Sequence, residues 1–199
     1  MTQPSVATAG RERAGWGAPL ALFLGAAAIY SINLGHLPHP DELYHILAAQ
    51  GMVVTGEPRI AEGLYTRTWL FTWLVARCFS LFGESLAVAR LPALLPMAAL
   101  VPLLFVWLRR VADRRAAWLG TLLFALSPFA IEIAQFSRFY GLQMLSLFAA
   151  AVCAYDATEP QPLARRLGLA VAGLVCAALA LYLQPTTFLG FAGIGLWLA

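Results

Sequence analysis

HLPHPDELYHI, residues 36–46, holds all three histidines of the chain, two of its prolines and an adjacent acidic pair, Asp41 and Glu42. The surrounding sequence is mostly Leu, Ala, Val and Phe. Of 199 residues, 61% are hydrophobic and only 12% charged, which places the chain among integral membrane proteins. Two carboxylates beside a membrane surface are costly to desolvate, and burial raises their pKa toward the range useful for a general base. Asp is also a favoured helix cap, so Asp41 capping a helix that starts at Glu42 is the structural alternative. The local residues leave both readings open.

Upstream, the apolar run 16–35 follows Arg11 and Arg13. It is long enough to cross a bilayer, which takes about 20 residues, and YSINLGHLPHP is not a small-residue cleavage site. An uncleaved first transmembrane helix is expected there. Downstream, apolar spans are expected over 87–108, 116–133, 142–155 and 167–183, with 188–199 beginning a sixth. The basic stretch RRVADRR (109–115) and the pair Arg165 and Arg166 separate them. Cationic loops favour the cytoplasm, so these clusters and the N-terminus fall on one side and the acidic pair on the other. Counting 66–83 as a span would reverse the 109–115 loop. That segment is therefore expected to lie along the outer surface, with Trp69, Phe71 and Trp73 at headgroup depth.

The fold class expected is all-α: a polytopic transmembrane helical protein whose outer loop carries juxtamembrane helices. One domain covers 1–199, with a first span at 16–35, an outer loop at 36–86 and further spans at 87–199. The loop would hold surface helices at about 41–55 and 66–83, joined by the turn-rich GEPRIAEGLY. The net charge of +3 comes from arginines dispersed between apolar runs, which speaks against nucleic-acid binding. Cys78, Cys153 and Cys176 sit singly in apolar runs and read as packing residues, without a disulfide or zinc pattern. Asp41 and His45 share a helical spacing, but His36, His39, Asp41 and His45 match no defined metal motif, so neither a metal nor another cofactor is expected.

The outer side collects Asp41, Glu42, His45, Arg59, Arg67, Arg77, Arg90, Glu132, Arg138, Tyr140 and Gln184. Ionisable groups near a membrane are costly and therefore functional candidates. Arg138 and Glu132 are expected to pair across one helix end, and Arg77 and Arg90 to reach out to lipid headgroups. Arg67 precedes the second surface helix and is read as holding a lipid-linked phosphate by bidentate hydrogen bonds, with simple headgroup anchoring as its alternative.

The DEL-Y-H stretch, YTRTWLFTWLVARCFSLFGESLAVARLPALL (65–95) and SPFAIEIAQFSRFYGL (127–142) occur in the order found in the N-terminal part of the GT-C glycosyltransferases. The chain resembles most the polyprenyl-phosphate-sugar-dependent branch, which includes protein O-mannosyltransferases and aminoarabinose transferases. The resemblance covers about residues 16–190. It implies Asp41 as catalytic base, with Glu42 sharing or orienting that role, and Arg67 and Arg138 as ligands of the donor phosphate. His45, Tyr140 and Glu132 would support them. Gln184 stands where many relatives carry His. The implied activity is inverting transfer of a sugar from a polyprenyl phosphate to an acceptor protein, lipid or glycan on the outer face of a bacterial inner membrane. Relatives have about twice as many spans, so the chain, which stops inside an apolar run, reads as a front portion cut short. The alternatives are a non-catalytic fragment or accessory membrane subunit, and a transport or binding component. One-sided polar residues without an internal repeat speak against transport.

Overall fold

A computed structural model describes residues 16–61 and 63–198; Arg11 and Arg13, on which the N-terminal orientation rests, lie outside them. The described residues form helices α1 (Gly17–Tyr30), α2 (Pro40–Thr55), α3 (Trp69–Phe82), α4 (Leu86–Val111), α5 (Arg114–Ala125), α6 (Pro128–Ala134), α7 (Tyr140–Thr158), α8 (Leu163–Leu183) and α9 (Phe188–Leu198). Between α2 and α3, Arg59–Ile60 (β1) pairs antiparallel with Gly63–Leu64 (β2) in a minimal hairpin. The all-α class is as expected. Three helices, α4, α7 and α8, are long and apolar enough to cross a membrane, and α5 with α6 passes the same test as one bent pair.

Helix α4 is the trunk, with α1, α3, α5, α6 and α7 packed on it. One buried cluster joins Leu94, Met97, Ala98 and Val101 of α4 to Ala26 and Tyr30 of α1 and to Ala130 and Ala134 of α6. A second joins α2 and α3 to the start of α4 through Ile46, Ala49, Phe71, Val75, Ala89 and Ala93. Small residues let helices approach closely where no hydrophobic drive pulls them together. At Gly141 of α7, an added Cβ would stand 2.5 Å from the Ala93 carbonyl oxygen of α4. Outside this packing, Leu123 of α5 and Leu167, Val171, Leu174 and Val175 of α8 are exposed, as side chains facing hydrocarbon are.

Two boundaries and one burial differ from the hydropathy pattern. The first helix ends at Tyr30, after 14 residues, because Ser31 bonds back to the Ala27 carbonyl and Asn33 adopts a left-handed conformation (φ 62°). The run 116–133 is two helices bent by 56°. Ser127 caps the second by accepting from the Ala130 N–H, and Pro128 opens it, a position where the missing N–H costs nothing. On α3, Trp69 is exposed, but Phe71 is fully buried in the core rather than at headgroup depth.

The trunk has two chemically distinct ends. Arg90 and Arg110 are twenty residues apart on it, a rise of about 30 Å, which is the thickness of a bilayer's hydrocarbon core. At the far end Arg110 pairs with Asp156 of α7, alongside the arginines that open α5 and α8. At the near end lie α2, α3 and the turn between α6 and α7.

Candidate functional site

The site begins at the first turn of α2. His39, extended, is the N-cap, and Pro40 is the first helical residue. The Asp41 N–H donates to His39 Nδ1 (3.2 Å), and the His39 N–H donates to Glu42 Oε1 (3.0 Å), a reciprocal capping box. His39 therefore takes the capping role considered for Asp41. The Asp41 carboxylate is left 56% exposed.

Glu42, one residue on, is 1% exposed and saturated. Arg90 Nε and Nη2 each donate to it at 2.9 Å, and the Ser137 N–H does so at 2.9 Å. Arg90 is wholly buried instead of reaching to headgroups. Its Nη1 donates to the Leu34 and His36 carbonyls at 2.6 and 3.2 Å. Burial acts to raise the Glu42 pKa, but the hydrogen bonds from Arg90, Ser137 and His39 outweigh it and hold the carboxyl below its ordinary range. Burial thus falls on Glu42 alone of the pair, and its pKa moves in the opposite direction to the one expected.

Ser137 also donates its hydroxyl to the Ala89 carbonyl (2.7 Å), fixing the α6–α7 turn against α4. That turn delivers Arg138 to Asp41. Arg138 Nη1 donates to the Asp41 carbonyl (2.9 Å) and lies 3.8 Å from Asp41 Oδ2. Arg138 is 5% exposed, yet its Nε–H has no hydrogen-bond partner among the described residues. Its guanidinium sits over Phe139 and Tyr140, 5.3 and 5.7 Å from the ring centres. Arg67 reaches the same Phe139 ring from the other side of the loop (6.0 Å), exposed, with no hydrogen bond or ion pair among the described residues. Thr68 beside it holds a left-handed backbone (φ 45°), an outlier for a β-branched residue of the kind found at functional sites.

His45 forms the floor. Its Nδ1 is 2.9 Å from Thr72 Oγ1, and its ring packs edge-on against Tyr65 and Phe71, both at 5.1 Å. Burial first, then the charges of Arg138 and Arg67, push its pKa down to about 3, so the imidazole is neutral. Tyr65, stacked on Tyr44, is raised by burial.

Glu132 is exposed on α6 and makes no ion pair with Arg138 among the described residues, because the turn at Gln135–Phe139 swings Arg138 away to α2. Glu132 instead lines an open groove of about 1000 Å³ between the 36–41 segment and α6. Gln184 ends α8, and the neighbouring Tyr182 hydroxyl accepts from the Leu70 N–H (3.3 Å), tying α8 to the start of α3. Among the described residues no three His, Cys, Asp or Glu side chains are placed to hold a metal ion. The sequence alone does not single out Ser137, and it points Arg90 at headgroups and not at Glu42. The signal for Arg90 is an arginine in the first turns of a long apolar helix, a position that demands a partner. No protein-family model, curated protein or solved structure matches the chain.

Proposed function

We propose that the chain is all or the front part of a membrane glycosyltransferase of the GT-C type, moving a sugar from a polyprenyl phosphate to an acceptor hydroxyl. The observation that carries this reading is the pair of underused guanidiniums meeting at Phe139 beside an exposed Asp41. Arg138 is buried with its Nε–H unpaired among the described residues, an arrangement that costs free energy until an anion completes it. Arg67 adds a second guanidinium, one without a hydrogen bond or ion pair among the described residues, and a planar guanidinium suits a phosphate bidentately.

In the proposed step, Asp41 takes the proton of the acceptor hydroxyl. The acceptor oxygen forms a bond to the anomeric carbon while the bond from that carbon to the phosphate oxygen breaks. The electron pair leaves on the phosphate, which passes from a singly charged diester to a doubly charged monoester, and Arg67 and Arg138 stabilise the added charge. Glu42, with its oxygens saturated, positions Asp41 and Arg138 and does not take the proton. The arginine-rich end of the trunk belongs in the cytoplasm, which puts the site on the outer face. The sequence motifs in order, and two helices in the 36–86 segment, the first opening with the acidic pair, support the family reading.

The test is transfer from a labelled polyprenyl-phosphate sugar in membranes containing the native gene product. Asp41→Asn is expected to lower kcat by about 100-fold or more, as loss of a general base does, and Arg67→Ala to raise KM for the donor. Near-wild-type turnover by Asp41→Asn would remove the base, and unchanged donor use by Arg67→Ala would remove its phosphate role.

A further inference from the structure

We infer that the acceptor reaches Asp41 through the groove between the 36–41 segment and α6, and that it is an uncharged or cationic alcohol rather than a phosphate or carboxylate. The inference rests on the transferase reading. It adds the acceptor's side of the site and its charge.

The groove, about 1000 Å³, has Pro38, His39 and Asp41 on one wall and Ile131, Glu132 and Phe136 on the other. Arg67 and Arg138 are not among its lining residues. They stand beyond Phe136 and Tyr140, whose rings stack at 6.0 Å with Arg138 against Tyr140. Asp41 is shared between the groove and the arginine pair, as a base acting between acceptor and donor must be.

The charges facing the groove are of one sign. Asp41 and Glu132 are exposed carboxylates. Arg138 reaches Asp41 from behind, 3.8 Å from Oδ2 and outside the groove's lining, so Glu132 is the carboxylate there with no ion pair among the described residues; Arg90 lies wholly buried with its charge matched by Glu42. Two histidines border the groove. His36 Nδ1 lies between Arg90 Nη1 (3.0 Å) and the Asn33 carbonyl (2.9 Å), and His39 Nδ1 accepts from the Asp41 N–H. An anionic acceptor would give up hydration to meet the unpaired charge of Glu132 and then that of Asp41, which Arg138 offsets only from the far side, and such like-charge contact is how a site rejects a wrong partner. The chemistry agrees. A phosphate oxygen is already ionised and needs no base, whereas an alcohol needs Asp41 to take its proton.

Leu37 is 89% exposed at the groove's lip and suits a reporter. In membrane vesicles, Leu37→Cys, in a chain with Cys78, Cys153 and Cys176 changed to alanine, is treated with cationic trimethylammonioethyl and anionic sulfonatoethyl methanethiosulfonate. Both rates are normalised to those with free mercaptoethanol. The cationic reagent should be favoured at least tenfold, and Glu132→Lys should abolish or invert that preference. Methyl glucoside and its 2-amino analogue should protect the introduced thiol at concentrations at least tenfold lower than methyl glucuronide does. Equal protection by the glucuronide, or no response to Glu132→Lys, overturns the inference. Donor consumption in the same vesicles separates the failures. Donor consumed without a charge preference defeats this inference alone. A charge preference with donor never consumed defeats the transferase reading and the acceptor role with it.

Discussion

Asp41 and Glu42 are neighbours in sequence and opposites in environment. The carboxylate of Glu42 is the charge that makes buried Arg90 tolerable, so Glu42→Gln leaves an uncompensated guanidinium in the core. Breaking such a pair costs about 3–5 kcal/mol. A clearly lower unfolding temperature in detergent is expected for Glu42→Gln, with Asp41→Asn, an exposed change, close to wild type. The acid side of the stability profile follows from the same residues. His45 has a folded pKa of about 3, below its ordinary 6.5, so the unfolded chain binds more protons between those values. Its contribution is complete above about pH 6.5 and declines as pH falls toward 3. Glu42, lowered as well, contributes above its ordinary range and is lost as pH drops through its folded value. Unfolding midpoints should therefore fall from pH 7.5 to pH 5, and His45→Gln should flatten that fall. The acidic pair is conspicuous in the sequence. Which carboxylate is buried depends on Arg90, 48 residues away, and on Ser137, 95 residues away, and no local pattern carries that information.

At the scale of elements, apolar runs and turn residues locate most helices to within a few positions. What hydropathy cannot separate is a straight span from a bent one. Leu126-Ser127-Pro128 is apolar enough on average, yet Ser caps and Pro starts a new helix there. The α2 cap escapes the sequence pattern because His is an uncommon capping residue, and its role rests on the reciprocal bond from Glu42. Phe71 escapes it because an aromatic on an amphipathic helix reads alike at headgroup depth and in a core. The start of α7 is held by contact: Gly141 admits no side chain against Ala93 and Met97 of α4. Gly141→Ala should cost about 1–3 kcal/mol of stability through overpacking. Because Arg138 lies three residues earlier, it should also weaken donor use more than other destabilising changes, such as Ser127→Ala, do. Donor KM measured for both variants checks this.

For the molecule as a whole, the separation of arginine-rich loops from the acidic pair is legible in the sequence because it needs only charge and span length. The helices give that separation a physical distance through Arg90 and Arg110 on one trunk. The convergence of Arg67, Arg138 and Asp41 is suggested by motif order and not by periodicity, since three segments far apart in the chain supply them. The claim that this convergence is a lipid-phosphate site is tested most directly by binding polyprenyl monophosphate to the chain in nanodiscs, against polyprenol of equal length. The phosphate should tighten binding at least tenfold, and Arg138→Gln should remove the difference while the fold persists. Equal binding of the two lipids, or a phosphate preference untouched by Arg138→Gln, would contradict it.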